Sequence, residues 1–168
     1  EDLKRRDFTI NAMAYNEERG LVDEFDGVGD LKRGIIRCVG EARERFQEDA
    51  LRMLRAVRFA AQLGFVLDEQ TKQAICELRE NLRKVSAERI QTELVKLLVS
   101  PHPERLLEAW ETGMTAVVLP EFDACMACEQ NNPHHSYSVG VHTIKSMGEV
   151  EADKVLRLTM LFHDFGKP

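Results

Sequence analysis

Residues 41–65 read EARERFQEDALRMLRAVRFAAQLGF, and this stretch decides the fold class. At about 100° per residue, Phe46, Ala50, Met53, Leu54, Val57 and Ala61 fall on one face, the pattern of a helix with one packed side. Asp49, Arg52, Arg55 and Arg58 step along a slanting stripe beside that face. An aspartate accepts hydrogen bonds and a guanidinium donates them in a planar fork, so the two together can read the edge of a nucleobase, and further arginines can bind phosphate. The same stripe also fits a solvated face on which Glu48 and Arg52, spaced i to i+4, form an ordinary ion pair. The helix by itself leaves both readings open.

Upstream, residues 2–15 read DLKRRDFTINAMAY and residues 21–40 read LVDEFDGVGDLKRGIIRCVG. Arg5, Arg6 and Asp7 precede an apolar segment, where they can contact phosphate and ribose, with Asp7 accepting from sugar hydroxyls. Asp7 is equally suited to cap a helix N-terminus. Between residues 23 and 30, Gly27 and Gly29 lie among acids, which suits a tight turn or a close backbone approach.

The order of these segments carries more than any one of them. RRDFTINAMAY, then Asp23, Gly27 and Asp30 in a D-x3-G-x2-D spacing, then ERFQEDALRMLRAVRFAAQLGF, resembles the class II tRNA nucleotidyltransferases, the CCA-adding enzymes, and the related bacterial poly(A) polymerases. In that family the RRD segment binds nucleotide sugar and phosphate, the D-x3-G turn orients head and neck domains, and the EDxxR segment is an amino-acid template for the base. The resemblance assigns Arg6 and Asp7 to the first role, Asp23, Gly27 and Asp30 to the second, and Glu48, Asp49 and Arg52 to the third. Arg55 and Arg58 continue the arginine ladder, to bind triphosphate or to hold Asp49 and Glu48.

The resemblance further implies an activity: addition of C and A to tRNA 3′ ends from CTP and ATP, with Mg2+ as cofactor. It places the Mg2+ carboxylates in an Asp-x-Asp pair on a β-sheet ahead of Glu1, and no Asp-x-Asp occurs in the 168 residues. The expectation is a fragment that carries recognition residues without the catalytic ones and is inactive alone. Within the template, Asp49 would accept from the exocyclic amine shared by cytosine and adenine, and Arg52 would donate to the adjacent ring nitrogen. Uracil and guanine would leave those groups unpaired.

Composition narrows the class without naming it. Charged residues make up 31% of the chain, the formal net charge is −6, and no apolar run is long enough to cross a membrane. No secretory signal is visible, and the expected location is the cytoplasm. The acidic balance does not exclude an RNA partner, because binding depends on where cations cluster, and residues 4–6 and 43–58 supply clusters. The partners implied are tRNA, ATP and CTP, with no membrane and no DNA.

The predicted architecture is mainly α. Short strands at 11–15, 21–25 and 35–39 end an α/β head domain, a helical neck follows, and a helical HD domain begins, divided as 1–40, 41–100 and 101–168. Strands are confined to the first forty residues. Helices are predicted over 41–63, 69–81, 86–99 and 103–113, started by Asp68, Ser86 and Pro101 and stopped by Gly64. The segment SAERIQTELVKLLVS, with Ile90, Leu94, Leu97 and Leu98 at helical spacing, reads as core packing. Residues 123–138, with Asn131, Asn132 and Pro133, read as a polar linker.

Near the C-terminal end, NNPHHSYSVGVHTIKSM is followed by RLTMLFHDFGKP. His142, then His163 and Asp164, resemble the opening of the HD-domain pattern, in which imidazoles and a carboxylate hold a divalent ion. The pattern normally adds a distant Asp, so the expectation is an incomplete site. Cys125 and Cys128 form a C-x2-C near His134 and His135, but a second ligand pair at zinc spacing is absent, and reduced thiols fit better. Three other functions share these motifs: a poly(A) polymerase, or separate CC-adding and A-adding enzymes; an HD-type metal phosphohydrolase; and a non-catalytic RNA-binding helical module.

Overall fold

The computed structural model describes residues 2–129 and 137–168. Strands β1 (Met13–Asn16) and β2 (Gly20–Asp23) form an antiparallel hairpin in the register Met13↔Asp23 to Asn16↔Gly20. The Asn16 side chain accepts from the Glu18 N–H at 2.8 Å, a local turn bond that closes the hairpin. Helix α1 (Gly27–Arg33) follows, then β3 (Ile35–Ile36), α2 (Ala42–Glu48), α3 (Leu51–Leu63), β4 (Val66–Leu67), α4 (Glu69–Leu78) and α5 (Ala87–Leu98). Short helices α6 (Leu106–Glu111), α7 (Met114–Val118) and α8 (Pro120–Ala127) lead to α9 (Val139–Glu149) and α10 (Lys154–Phe162). The mainly α prediction holds.

Several boundaries differ from expectation for local reasons. The first strand begins at Met13, because Thr9–Asn11 is wound into a 3-10 turn. The second ends at Asp23, whose side chain caps α1, so residues 27–33 are helix where a turn was expected. Only Ile35–Ile36 of the third is strand, and Cys38 makes a single bridge to Phe8. Among the described residues, one strand, β4, lies beyond residue 40, where none was expected. Gly64 ends α3 in the left-handed region at φ 70°, which reverses the chain so that β4 runs parallel to β3, with Val66 N–H bonded to the Gly34 carbonyl at 2.9 Å.

The helix expected over 41–63 is two helices. Asp49 has extended backbone, φ −150° and ψ 104°, and its Oδ1 accepts from the Leu51 N–H at 3.2 Å. Aspartate offers the backbone an alternative to the helical bond, and here it starts a new helix. The 69–81 helix ends at Leu78 and passes into a 3-10 stretch, Arg79–Lys84. Asp68 caps α4 by accepting from Thr71 N–H at 3.1 Å, as predicted. Residues 123–127 of the expected linker are the second half of α8, with Cys125 buried. Asn131, Asn132, Pro133, His134 and His135 lie outside the described residues.

The predicted face of residues 41–65 is the core. Phe46, Met53, Leu54, Val57 and Ala61 are buried, joined by Phe8, Ile36, Leu97, Leu98, Leu106, Phe122 and Leu161 in one continuous cluster. Each large apolar side chain buried there contributes about 1.5–3 kcal/mol before entropy is counted. Of the α5 set, Leu97 and Leu98 are fully buried, and Ile90 and Leu94 pack partly buried against the cluster. No helix among the described residues is long and apolar enough to cross a membrane.

Candidate functional site

The N-terminal segment is clipped beside residues 37–39: Thr9 N–H bonds the Arg37 carbonyl at 2.9 Å, and Val39 N–H bonds the Asp7 carbonyl at 3.0 Å. Phe8, fully buried, packs edge-on against Phe59 of α3 with ring centroids 5.6 Å apart. That anchor delivers Asp7 to α3. Asp7 Oδ2 accepts from Arg55 Nε at 2.6 Å, and Oδ1 accepts from Asn11 Nδ2 at 2.7 Å. Burial raises the Asp7 pKa, but the bonds from Asn11 and Arg55 outweigh it and hold the carboxyl below the ordinary aspartate value. Arg6 stands apart, exposed and paired with Asp2 at 3.1 Å.

The 23–30 turn is a bracket under this segment. Asp23 accepts from Gly27 N–H at 2.7 Å and Val28 N–H at 2.9 Å, and these bonds hold its carboxyl below the ordinary range. A β-carbon at Gly27 would overlap the Thr9 carbonyl, so this close approach requires glycine. Asp30 is buried and accepts from Thr9 Oγ1 at 2.6 Å, Arg33 Nη2 at 2.7 Å and Arg37 Nε at 2.9 Å. Burial raises its pKa, and the Thr9, Arg33 and Arg37 contacts reverse the sign. Asp23, Gly27 and Asp30 thus shape the chain that carries Asp7.

The stripe of charges on α2 and α3 divides among different partners. Asp49 Oδ2 accepts from Arg89 Nη2 of α5 at 2.8 Å. Arg52 donates to Glu48 Oε2 at 2.7 Å and to the carbonyls of Arg45 and Arg5, both at 3.2 Å. Arg45 in turn holds the Lys4 carbonyl at 3.0 Å. The i to i+4 ion pair and the approach to the RRD segment therefore coexist on one guanidinium. Asp7, Arg55 and Arg52 join the N-terminal segment to α3, and a polar cavity of about 570 Å3 opens beside Glu48 and Asp49, lined also by Lys84 and Arg89.

Arg58 departs from its expected part. Its guanidinium is buried, bonded to Glu93 at 2.9 Å and Gln62 at 2.7 Å, and stacked 3.7 Å from the Phe59 ring centroid. A triphosphate could reach it only by breaking a buried pair. Arg55 and Arg58 take Asp7 and Glu93 as partners, rather than Asp49 and Glu48. Arg89 and Glu93 belong to the segment read as core packing. Their i to i+4 spacing on the polar side of α5 was the signal available for them.

His142 on α9 meets His163, which follows α10, and Asp164. The imidazole centroids are 5.7 Å apart, and one potential ligand atom from each of the three residues lies within 4.8 Å of the others. Asp164 Oδ2 also lies 3.3 Å from His163 Nε2 and 2.8 Å from Lys167 Nζ. Two imidazoles and a carboxylate suit a divalent transition ion, and Lys167 competes for the carboxylate. Cys125 is buried, burial raises its thiol pKa, and its Sγ donates to the Asp164 carbonyl at 3.8 Å.

Two family models match: "Poly A polymerase head domain" over residues 1–37 and "Probable RNA and SrmB- binding site of polymerase A" over residues 64–126, between them more than half of the chain. A curated relative from Lactobacillus johnsonii, described as a CCA-adding enzyme, is 50% identical over 119 residues, 70% of this chain and 30% of that protein. The chain belongs to the poly(A) polymerase and CCA-adding enzyme family. Among solved structures, the Bacillus stearothermophilus CCA-adding enzyme in complex with CTP is 49% identical with a TM-score of 0.68, over 70% of this chain and 30% of that one. The Thermotoga maritima CCA-adding enzyme complexed with tRNA is 28% identical with a TM-score of 0.62, over 95% and 43%. The chain thus spans about 30% of the length of the first curated relative it matches. In this member of the poly(A) polymerase and CCA-adding enzyme family, Asp49, Arg52 and Arg55 fall between the two matched spans, and Asp7 falls within the head-domain span.

Proposed function

We propose that this chain contributes the nucleotide-recognition part of a template-independent tRNA nucleotidyltransferase, which adds C and A to tRNA 3′ ends from CTP and ATP. The observation that carries the reading is the clasp between the RRD segment and the arginine ladder, in which Asp7 bonds Arg55, 48 residues on, and Arg52 bonds the Arg5 carbonyl, while Glu48 and Asp49 at the start of the ladder line a polar cavity. Relatives named as CCA-adding enzymes, one of them in complex with CTP and another with tRNA, support the substrate class. Asp49 accepts from the exocyclic amine of cytosine or adenine, Arg52 donates to the ring nitrogen beside it, and Arg6, Asp7 and Arg55 hold ribose and phosphate. Glu48 orients Arg52 through their 2.7 Å pair. Arg52 spends three of its five N–H groups on Glu48 and on the Arg45 and Arg5 carbonyls, which leaves donors for the ring nitrogen.

Nucleotidyl transfer in this family draws on a divalent metal, which activates the primer hydroxyl and neutralises the triphosphate. Asp7, Asp23 and Asp30 are committed to arginine, asparagine, threonine and backbone donors, so these three carboxylates do not offer a metal pair. We divide the chain into a head segment 1–40, a neck 41–100 and a body with the beginning of an HD domain 101–168, in a cytoplasmic protein. The test is the ratio of catalytic efficiencies for CTP and ATP over UTP and GTP in the full-length protein. Asp49→Ala and Arg52→Ala should each lower that ratio roughly ten- to hundredfold, the worth of a charged hydrogen bond in a desolvated site. Wild-type ratios in folded variants would refute the base-reading role.

A second reading attaches to the other end of the chain. The convergence of His142, His163 and Asp164 favours a bound divalent ion in the HD region, with His142 and His163 as nitrogen donors and Asp164 as the oxygen donor. This is the site a metal phosphohydrolase would use.

A further inference from the structure

Asp49 sits where α2 stops and α3 begins, with extended backbone and a side chain about one-third exposed. An aspartate there has two free side-chain rotors, and a base-reading acceptor needs both fixed. Each oxygen has a holder. Oδ1 caps the first turn of α3 through the Leu51 N–H, and Oδ2 takes the Arg89 guanidinium at 2.8 Å. A carboxylate offers about four lone-pair sites, so a base amine can still bond without displacing either partner.

Arg89 is itself well placed to hold. It stands in the first turn of α5, and one turn on, Glu93 grips Arg58 in a buried pair at 2.9 Å. The start and the middle of α3 are thereby tied to a single turn of α5, by two ion pairs of opposite polarity. Lys96, one turn further along, reaches the other Glu93 oxygen at 3.4 Å. Among the described residues, nothing comparable fixes the Asp49 carboxylate from the N-terminal segment, whose ties to α2 and α3 run through Arg45, Arg52 and Arg55.

We propose that Arg89 is a positioning residue for base selection: by holding Oδ2 of Asp49 it fixes the acceptor that separates cytosine and adenine from uracil and guanine. The inference rests on the reading in which Asp49 contacts the base. Arg89 acts through Asp49 and does not touch the nucleotide.

The test measures dissociation constants of CTP, ATP, UTP and GTP by calorimetry on the full-length protein carrying Arg89→Ala, Arg89→Gln, Arg89→Lys, Asp49→Ala, or Arg89→Ala with Asp49→Ala. Arg89→Ala and Arg89→Gln should lower the preference for CTP and ATP about two- to fivefold, the size of a half-exposed ion pair acting at one remove. Arg89→Lys should restore part of that preference, and in the Asp49→Ala background Arg89→Ala should change it no further. Arg89 is half exposed, so neither truncation strands a buried charge. If Asp49→Ala reduces the preference and both Arg89 truncations leave it intact, the positioning role is wrong while base reading by Asp49 stands. A loss that persists in the Asp49→Ala background would also overturn it, because Arg89 would then contact the nucleotide. If Asp49→Ala keeps the wild-type preference, base reading fails first and the positioning role falls with it.

Discussion

Arg58→Met should destabilise the fold strongly while leaving the order of nucleotide preference unchanged. The wild-type side chain is 9% exposed, that of its partner Glu93 is 5% exposed, and they meet at 2.9 Å. Methionine keeps much of the volume and removes the charge, so Glu93 is left buried with only Lys96 Nζ at 3.4 Å. Removing one member of a buried pair costs about 3–5 kcal/mol, because the remaining charge is desolvated without compensation. The Lys96 contact offsets part of that, which places the expected loss near 3 kcal/mol, roughly 150-fold in the unfolding equilibrium. In urea, with a slope of about 2 kcal/mol/M, the midpoint should fall by about 1.5 M. Arg58→Met combined with Glu93→Leu removes both charges and should recover to within about 1 kcal/mol of wild type. The assay is equilibrium urea denaturation of the four proteins of this cycle, read by far-UV circular dichroism. A single variant within about 1 kcal/mol of wild type, or a double variant equal to the sum of the singles, would refute the argument that burial makes this pair interdependent.

Two further outcomes follow from the other sites. Asp7 and Asp30 have folded pKa values below the ordinary aspartate value, so their contribution to stability is full above that value and is lost as pH falls through the lower folded one. The urea midpoint of wild type should therefore drop between about pH 5 and pH 3. Asp7→Asn should drop less steeply, and an equal slope would assign the effect elsewhere. For the cluster of His142, His163 and Asp164, wild type should bind Mn2+ or Ni2+ in calorimetry, His142→Ala and Asp164→Ala should abolish it, and retention of binding in both would place the ion at other residues.

Local pattern made much of this protein legible. The helical period of residues 41–65 named its buried face, and Phe46, Met53, Leu54, Val57 and Ala61 lie in the core as that period required. Asp68 and Gly64 mark helix ends through bonds and torsions that depend on neighbouring residues alone. The order RRD, D-x3-G, EDxxR was enough to place the chain in its family. Less legible were elements decided by competition between local options. The break at Asp49 is one, where a side-chain oxygen outbids a backbone carbonyl for the Leu51 N–H. The 3-10 turn at Thr9–Asn11 is another, and it shortens the expected strand.

What the sequence by itself determined is direction: which side of a helix is apolar, which residue types stand beside it, and therefore which chemistries are available. Only the tertiary structure decided which partner each charge meets. Asp49, Arg55 and Arg58 look alike as members of one stripe, yet their bonds reach Arg89, Asp7 and Glu93 at separations of 40, 48 and 35 residues. A helical period fixes the angle at which a side chain leaves the axis, but the neighbour at that angle is set by how other elements pack. For that reason Arg55 bonds Asp7 of the N-terminal segment, while Arg58, one turn further along the same ladder, is buried against Glu93.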